Sequence, residues 1–278
     1  MLTTVEARSR RGDLLSLPLE DDSSGLRVAK IEGLDPVKAT LVSSSFANSD
    51  GEAYQSSRRE TRNIKFNVEL DPYPDSGDTV RDLRKRLYRF FMPESEVRLT
   101  FILEEGLSVD IVGVVESCET DHFSQEPAVD ISIICFDPDF YDPTPVVVST
   151  GLLTSNASPT TVTYDGTVEV GVKITIGPVV AAIPDFVLYQ TLPNDETRTL
   201  EFDNVTLAVG DTLVISTVPG AKSVTLTHAG VASSALYGVS PQSNWIALEP
   251  GDNALKLYSS VAPGSPWSIE YLDKYGGL

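Results

Sequence analysis

Histidine, cysteine and tryptophan are scarce in this chain, with two of each among 278 residues. The histidines, His122 and His228, give a Ser-His-Asp or Cys-His centre few possible positions, so we expect no enzyme of that kind. Cys118 and Cys135 lie outside any CxxC motif or Cys/His cluster, which excludes a disulfide framework and predicts two buried thiols. Forty acidic residues offer carboxylate pairs at almost any spacing, and they therefore do not indicate a glycosidase.

Long apolar runs are also missing. No run approaches the ~20 residues that a membrane-spanning helix requires. The N-terminus carries Glu6 and Asp13 and does not resemble a signal peptide. We therefore expect a soluble protein with no membrane partner, synthesised in a cytoplasm.

A metal-binding loop is not evident either. Asp137, Asp139 and Asp142 are close in sequence, but Pro138 and two aromatic residues interrupt them. The central glycine and terminal glutamate of an EF-hand are lacking. Turn formation is the simpler interpretation, and we expect neither a metal ion nor a cofactor.

Basic residues are few, 21 against 40 acidic ones, and the formal net charge is −19. Residues 1–150 carry −12 and residues 151–278 carry −7, so the acidity is spread over both halves. A surface of this kind does not bind DNA by neutralising phosphates. It suits either a soluble protein whose copies repel one another or a surface past which nucleic acid moves without binding.

One amphipathic helix is predicted from Asp78 to Phe91. Asp78 is the expected N-cap, Leu83 and Leu87 share an apolar face, and Pro93 cannot continue the helix. Five basic residues lie on the remaining faces: Arg81, Arg84, Lys85, Arg86 and Arg89. They form either a solvated face or a contact for an acidic neighbour, including another copy of this chain.

Strands surround this helix. Residues 64–70, 97–103, 107–111 and 129–133 alternate apolar and polar side chains, the pattern of strands with one buried face. Residues 38–46 are a further candidate strand, followed by a turn at Asp50-Gly51 and the polar run 52–62. This run predicts a long hairpin or arm reaching away from the core. Its arginines, Arg58, Arg59 and Arg62, are a second candidate subunit interface.

The second half reads as all β. Residues 143–163 are rich in proline and small polar residues and are expected to be an exposed connection. Short alternating runs then follow, with turns every eight to twelve residues or so, the spacing of a β-sandwich. We therefore predict a mainly β protein of two domains, residues 1–145 with one helix in a β-sandwich-like fold, and residues 146–278 as a jelly-roll β-sandwich.

Several of these segments together resemble the distal tail protein family of long-tailed, non-contractile bacteriophages. They are the Ile31-Glu32-Gly33-Leu34 run, the Asp50-Gly51 turn before the strand from Arg62, the single helix, and the Asp-Pro-Asp-Phe-Tyr segment at 137–141. The second half resembles the family's galectin-like jelly roll, with Gly210-Asp211 and the turn Pro250-Gly251-Asp252-Asn253.

The resemblance implies a structural virion protein at the distal tail tip, made in the host cytoplasm. Six copies would form a ring through the N-terminal domain, between the tail tube protein and a tail-tip hub or fibre protein. DNA would pass through the ring without specific binding.

A carbohydrate-binding module is the alternative. Jelly rolls commonly bind sugars, and Trp245 or Trp267 would stack on a pyranose ring if exposed. Both tryptophans stand beside aliphatic residues in strand-like runs, which instead favours packing in the core.

Overall fold

The computed structural model describes residues 1–21, 23–45, 50–72, 77–104, 106–153, 158–261 and 264–278. The chain divides into two compact units: residues 1–143 with residues 275–278, and residues 144–274. The mainly β fold predicted from sequence is confirmed. The last four residues lie with the first unit, whereas the sequence-based division assigned them to the second domain.

The first unit contains ten strands and one helix among its described residues. They are β1 (Leu2–Ser9), β2 (Leu14–Pro18), β3 (Leu26–Glu32), β4 (Ala39–Ser45), β5 (Glu52–Arg59), β6 (Arg62–Leu70), α1 (Val80–Tyr88), β7 (Glu96–Leu103), β8 (Ser108–Thr120), β9 (Ala128–Cys135) and β10 (Phe140–Tyr141). Seven of these strands form one antiparallel path in the order β2-β1-β7-β8-β9-β6-β3, and β10 pairs with β8. The alternating residues of the path point into one core, in which Phe66, Phe101 and Phe140 are in contact.

The helix packs its apolar face on this core. Leu83 and Leu87 are buried, as the periodicity predicts. The helix is shorter than expected, and its N-cap is Thr79 rather than Asp78. The Thr79 hydroxyl accepts a hydrogen bond from the backbone N–H of Asp82, and the Asp82 carboxylate accepts one from the backbone N–H of Thr79. This reciprocal capping box satisfies two of the N–H groups that a helix start leaves without intrahelical partners.

In its described part, the second unit is all β apart from one 3-10 turn (Leu236–Gly238). Its strands are β11 (Val146–Leu153), β12 (Thr160–Tyr164), β13 (Val170–Gly171), β14 (Lys173–Ile176), β15 (Phe186–Thr191), β16 (Thr197–Phe202), β17 (Thr212–Ser216), β18 (Ser223–His228), β19 (Val231–Ser234), β20 (Ala247–Leu248), β21 (Gly251–Tyr258) and β22 (Ser265–Tyr271), with β23 (Lys274–Tyr275) where the chain returns to the first unit. A six-stranded sheet (β11-β22-β14-β17-β18-β19) and a four-stranded sheet (β12-β21-β15-β16) share one core. This arrangement fits the galectin-like sandwich.

Two parts of the sequence interpretation change here. The predicted exposed connection at residues 143–163 contains β11 and most of β12 in its described part, because both strands pair with partners far along the chain, β22 and β21. The turn at Asn253 is a buried fold determinant. Its amide Nδ2 donates to the carbonyls of Glu249 (2.7 Å) and Gly251 (3.0 Å), and its Oδ1 accepts from Gln190 (3.1 Å).

Candidate assembly surfaces

The first candidate surface is a hairpin that stands apart from the main sheet. Strands β4 and β5 pair only with each other among the described strands, and we call them the arm. Leu41, Val42 and Tyr54 on the arm are 68%, 51% and 65% exposed. An isolated two-stranded hairpin is marginally stable in water. The arm therefore carries apolar side chains and free strand edges that its own unit leaves uncovered.

The base of the arm is tied to the segment that follows β9. Arg59, the last residue of β5, donates through both terminal nitrogens to the two carboxylate oxygens of Asp139, with Nη2–Oδ2 at 2.7 Å. Asp139 is 1% exposed, and its hydrogen bond with Arg59 is the largest cause of a raised Arg59 pKa. A paired, bidentate guanidinium of this kind has a fixed orientation. Arg59 therefore serves a contact inside its own unit.

Arg62 is not a surface residue, and its prediction as a subunit contact is wrong. Its side chain is 1% exposed, and Nε donates to the carbonyl of Pro138 at 2.6 Å. The terminal nitrogens donate to three more backbone carbonyls, those of residues 33 (2.5 Å), 35 (2.7 Å) and 276 (2.7 Å). The guanidinium also lies 4.4 Å from the centre of the Phe140 ring. Four of the five N–H donors of the guanidinium are thus occupied from within the unit, and the 1% exposed side chain offers no surface to a neighbour.

The basic helix face stays accessible. Arg81, Lys85 and Arg89 are exposed, as is Arg58 on the arm. Arg84 is partly buried, with Nη1 3.1 Å from His122 Nδ1. Because a guanidinium only donates, the imidazole nitrogen accepts in this contact. These residues remain the predicted interface, with Arg84 oriented by the loop that carries His122.

A polar sheet face lies on β3, β6, β9 and β8. Cross-strand partners build it in two rows, Glu32, Lys65, Ser132 and Ser117 in one, and Lys30, Asn67, Asp130 and Glu119 in the other. The rows line a depression of about 550 Å³. We call this surface the polar face.

The charges on the polar face are unevenly compensated. Lys30 forms an ion pair with Glu32 and is the main cause of that carboxyl's lowered pKa. Asp130 accepts a hydrogen bond from Asn67 at 2.7 Å, yet it stands directly opposite Glu119 on the next strand. Like charges at opposite positions in a sheet are destabilising. The face therefore keeps acidic charge at some expense to the fold.

The two tryptophans of the carbohydrate hypothesis lie in different surroundings. Trp267 is 5% exposed within the core, as its aliphatic neighbours favoured, so its candidate role in the alternative sugar-stacking interpretation is wrong. Its strand β22 lies between β11 and β14 in the six-stranded sheet, and the side chain packs in the core of the second unit. Trp245 is partly exposed and lines a depression of about 160 Å³ together with Glu169 and Lys222. The Lys222 ammonium lies 5.3 Å from the centre of the Trp245 ring.

The two histidines have separate environments. His122 is exposed in the first unit, and His228 in the second lies with Nδ1 2.7 Å from Asp211 Oδ1. Asp211 also accepts from the backbone N–H of Ala208 at 2.8 Å, which gives it a turn-forming role. Within the described ranges, no group of three or more His, Cys, Asp or Glu residues could hold a metal ion. No helix of the described chain is long and apolar enough to cross a membrane.

Taken together, these observations describe a two-unit β protein whose first unit presents an arm and a polar sheet face. The family model described as "Siphovirus-type tail component, C-terminal domain" matches residues 165–275. The resemblance to the distal tail protein family is therefore confirmed over this part of the chain.

Solved structures share the architecture over the full length. The crystal structure of the Dit protein of phage SPP1, described as a paradigm of the hub adsorption apparatus in phages infecting Gram-positive bacteria, is 16% identical with a TM-score of 0.70, over 97% of this chain and 98% of that chain. A chain of the phage P2 baseplate, in its activated conformation with Ca, is 11% identical with a TM-score of 0.50 and full coverage of both chains. At these identities the likeness concerns the fold. No curated protein matches the chain.

Proposed function

We propose that this chain forms a hexameric ring at the distal end of a phage tail. The ring joins the tail tube protein to a tail-tip hub or fibre protein and leaves a channel for DNA. The first unit, residues 1–145 in the sequence-based division, builds the ring, and the second decorates it. This role is structural and requires neither catalysis nor a cofactor. The observation that carries the proposal is the uncovered arm.

Burial of the arm contributes part of the free energy that favours assembly. Complete burial of a large apolar side chain contributes about 1.5 to 3 kcal/mol. Leu41, Val42 and Tyr54 are 51% to 68% exposed, so covering their remaining surface contributes on the order of 3 to 5 kcal/mol per interface. Repulsion between acidic copies is screened beyond about 8 Å at physiological ionic strength. Local apolar contacts therefore outweigh the net charge. A head-to-tail interface with a closing rotation gives a ring.

The basic residues favour one neighbour over random association. Arg58 on the arm and Arg81, Lys85 and Arg89 on α1 concentrate positive charge in a chain of net charge −19. Opposite charges across an interface raise the association rate and suppress wrong registers. The acidic surface of the next copy is the complementary partner.

The polar face is the surface best suited to the channel. Passing DNA must meet a wall that offers no unpaired cations, because accessible lysine or arginine would bind phosphates. On this face Lys30 pairs with Glu32, Lys65 stands opposite the same glutamate on the neighbouring strand, and Asp130 faces Glu119 although that arrangement destabilises the sheet. Repulsion of the phosphate backbone gives a reason for keeping this charge.

Sedimentation velocity of the full chain tests the ring. We expect an oligomer that the double variant Leu41→Ser/Tyr54→Ser reduces to monomers, whereas Val231→Ser, a 70% exposed apolar residue of the second unit, leaves it unchanged. The triple variant in which Arg84, Lys85 and Arg89 become glutamate should weaken assembly with the fold intact. A wild-type chain that stays monomeric across concentrations, also in the presence of its tail neighbours, would refute the ring.

Glycan recognition by the second unit is the alternative function, and the partly exposed Trp245 is the observation that favours it. An indole face beside a carboxylate and an ammonium is a common sugar-binding combination of stacking and hydrogen bonding. A glycan array compares the wild type with Trp245→Ala. Specific binding lost in that variant supports the lectin function, and absence of binding in the wild type removes it.

A further inference from the structure

The connection between the arm and the main sheet is very short. Strand β5 ends at Arg59 and β6 begins at Arg62, so only Glu60 and Thr61 lie between them. The Glu60 backbone N–H donates to the Lys38 carbonyl at 3.0 Å, which continues the β4–β5 ladder to this point. Two residues contribute four soft backbone dihedrals. Without further contacts, these rotations would let the arm swing as a body.

Both arginines that flank this connection bind the same segment of chain. Arg59 forms its bidentate pair with Asp139, and Arg62 donates to the Pro138 carbonyl from the other side. Asp139 is itself held in position, because its backbone N–H donates to Asp137 Oδ1 at 3.3 Å. Tyr141 donates from its hydroxyl to the second oxygen of Asp137 at 2.7 Å. The segment 137–141 is thus held in one conformation by its own hydrogen bonds and contacts both arginines at the base of the arm.

The Arg62–Pro138 and Arg59–Asp139 contacts hold different parts of the unit. Arg62 is buried and belongs to the first strand of the main sheet after the connection, so its hydrogen bonds stabilise the core side. Arg59 belongs to the arm, and its side chain is 40% exposed. Asp139 is therefore a residue through which a side chain of the arm itself is attached to the rest of the unit. A buried carboxylate with 1% exposure is costly to keep without such a partner.

We propose that Asp139 is a positioning residue for ring assembly, which fixes the direction of the arm through its bidentate pair with Arg59. An arm held in one direction presents its apolar side chains to the neighbouring copy without the entropy loss of ordering a swinging hairpin. This inference rests on the ring proposed above for the importance of the arm, but the attachment of the arm can be measured without any ring.

Asp139→Asn and Arg59→Gln break the pair from its two sides. In Asp139→Asn, an amide NH₂ replaces one acceptor oxygen and faces a donor, so the bidentate geometry is lost with little change in volume. Arg59→Gln changes the partly exposed partner and serves if the buried substitution fails to fold. Arg98→Gln is the matched control, because it removes one arginine from another ion pair, with Asp110 at 3.4 Å, on the main sheet of the same unit.

Millisecond hydrogen exchange of the full chain at a concentration where it is monomeric gives the first result. We expect amide exchange of β4 and β5 to be about tenfold faster in both variants, with β6 and β9 unchanged. Arg98→Gln should leave the arm unchanged. Equal exchange of the arm in wild type and both variants would overturn the inference, as would equal acceleration throughout β6 and β9, which would indicate a general structural role.

Sedimentation of the same proteins gives the second result. The concentration at which half of the chain is assembled should rise at least about tenfold in the pair variants and stay constant in Arg98→Gln. Rings that form equally well despite a loosened arm would refute a role of Asp139 in assembly. If the arm loosens but the wild type never assembles, the ring fails while the attachment of the arm by Asp139 stands.

Discussion

The substitution Arg62→Lys is the most demanding test of the first unit. It keeps a positive charge and a long aliphatic stem, but it replaces a planar fork by a single nitrogen. Arg62 is 1% exposed, and its fork reaches four backbone carbonyls, those of residues 33, 35, 138 and 276. Burial is the largest cause of a lowered Arg62 pKa, but arginine remains charged at neutral pH.

The expected loss follows from those contacts. One ammonium cannot reach carbonyls approached from different edges of the fork, so at least two of the four hydrogen bonds are lost. A hydrogen bond to a charged group contributes about 1.5 to 3 kcal/mol. The stacking on the Phe140 ring, at 4.4 Å, is weakened as well. We expect the free energy of unfolding of the first unit to fall by about 3 to 5 kcal/mol.

The distribution of tryptophan makes the assay specific. Trp245 and Trp267 are the chain's two tryptophans, and both lie in the second unit, so their fluorescence in urea follows that unit. Far-UV circular dichroism follows both. Arg62→Lys should move the dichroism transition of the first unit to lower urea and leave the fluorescence transition in place, whereas Arg58→Lys on the exposed arm should move neither. A loss under about 1 kcal/mol would refute the assigned role of the buried fork.

Three further outcomes are expected. Leu83→Ala should cost about 2 to 5 kcal/mol in urea titrations because Leu83 is 1% exposed, whereas Arg81→Ala should stay within about 0.5 kcal/mol; equal losses would contradict the assigned helix faces. A chain that ends at Pro143 lacks the Gly276 carbonyl that accepts from Arg62, so its urea midpoint should be lower than that of a chain in which a short linker joins Pro143 to residues 275–278. Equal midpoints would show that residues 275–278 are dispensable for the stability of the first unit. Burial raises the pKa of the Cys135 thiol from 9.0 to about 12. The contribution of the neutral thiol to stability is therefore complete below pH 9 and is lost as the pH rises toward 12. The free energy of unfolding of Cys135→Ala should decline less steeply in this alkaline range than that of the wild type, and parallel curves would refute the shift.

Sequence pattern determined most of the local structure. Alternation of side chains predicts β6, β7 and β9 because a strand with one buried face has a period of two. The helix was found from its period and its proline stop, but its cap was misplaced by one residue, since Asp78 and Thr79 are both good N-caps. The polar run 52–62, predicted as a long hairpin or arm, provides one strand of the arm, paired with β4, and its last residue begins β6.

The roles of long polar side chains were decided only by tertiary structure. Arg58, Arg59 and Arg62 look alike in sequence, yet the first is exposed, the second is paired with Asp139 and the third is buried among four carbonyls. Nothing local distinguishes them, because their partners come from segments up to 214 residues away. The sequence around Asp139 indicates a turn residue or a metal ligand, whereas its partner in the structure, Arg59, lies 80 residues away in the chain.

The same physical reason separates what sequence alone determined from what it did not. Composition, charge and periodicity act along the chain, so they determined a mainly β protein, its single predicted helix and its acidic character. Burial of Trp267, the strand pairing of β11 with β22 and the return of residues 275–278 to the first unit depend on contacts between distant segments. Such contacts form only when the sheets assemble, because loop closure brings together residues that share no local pattern.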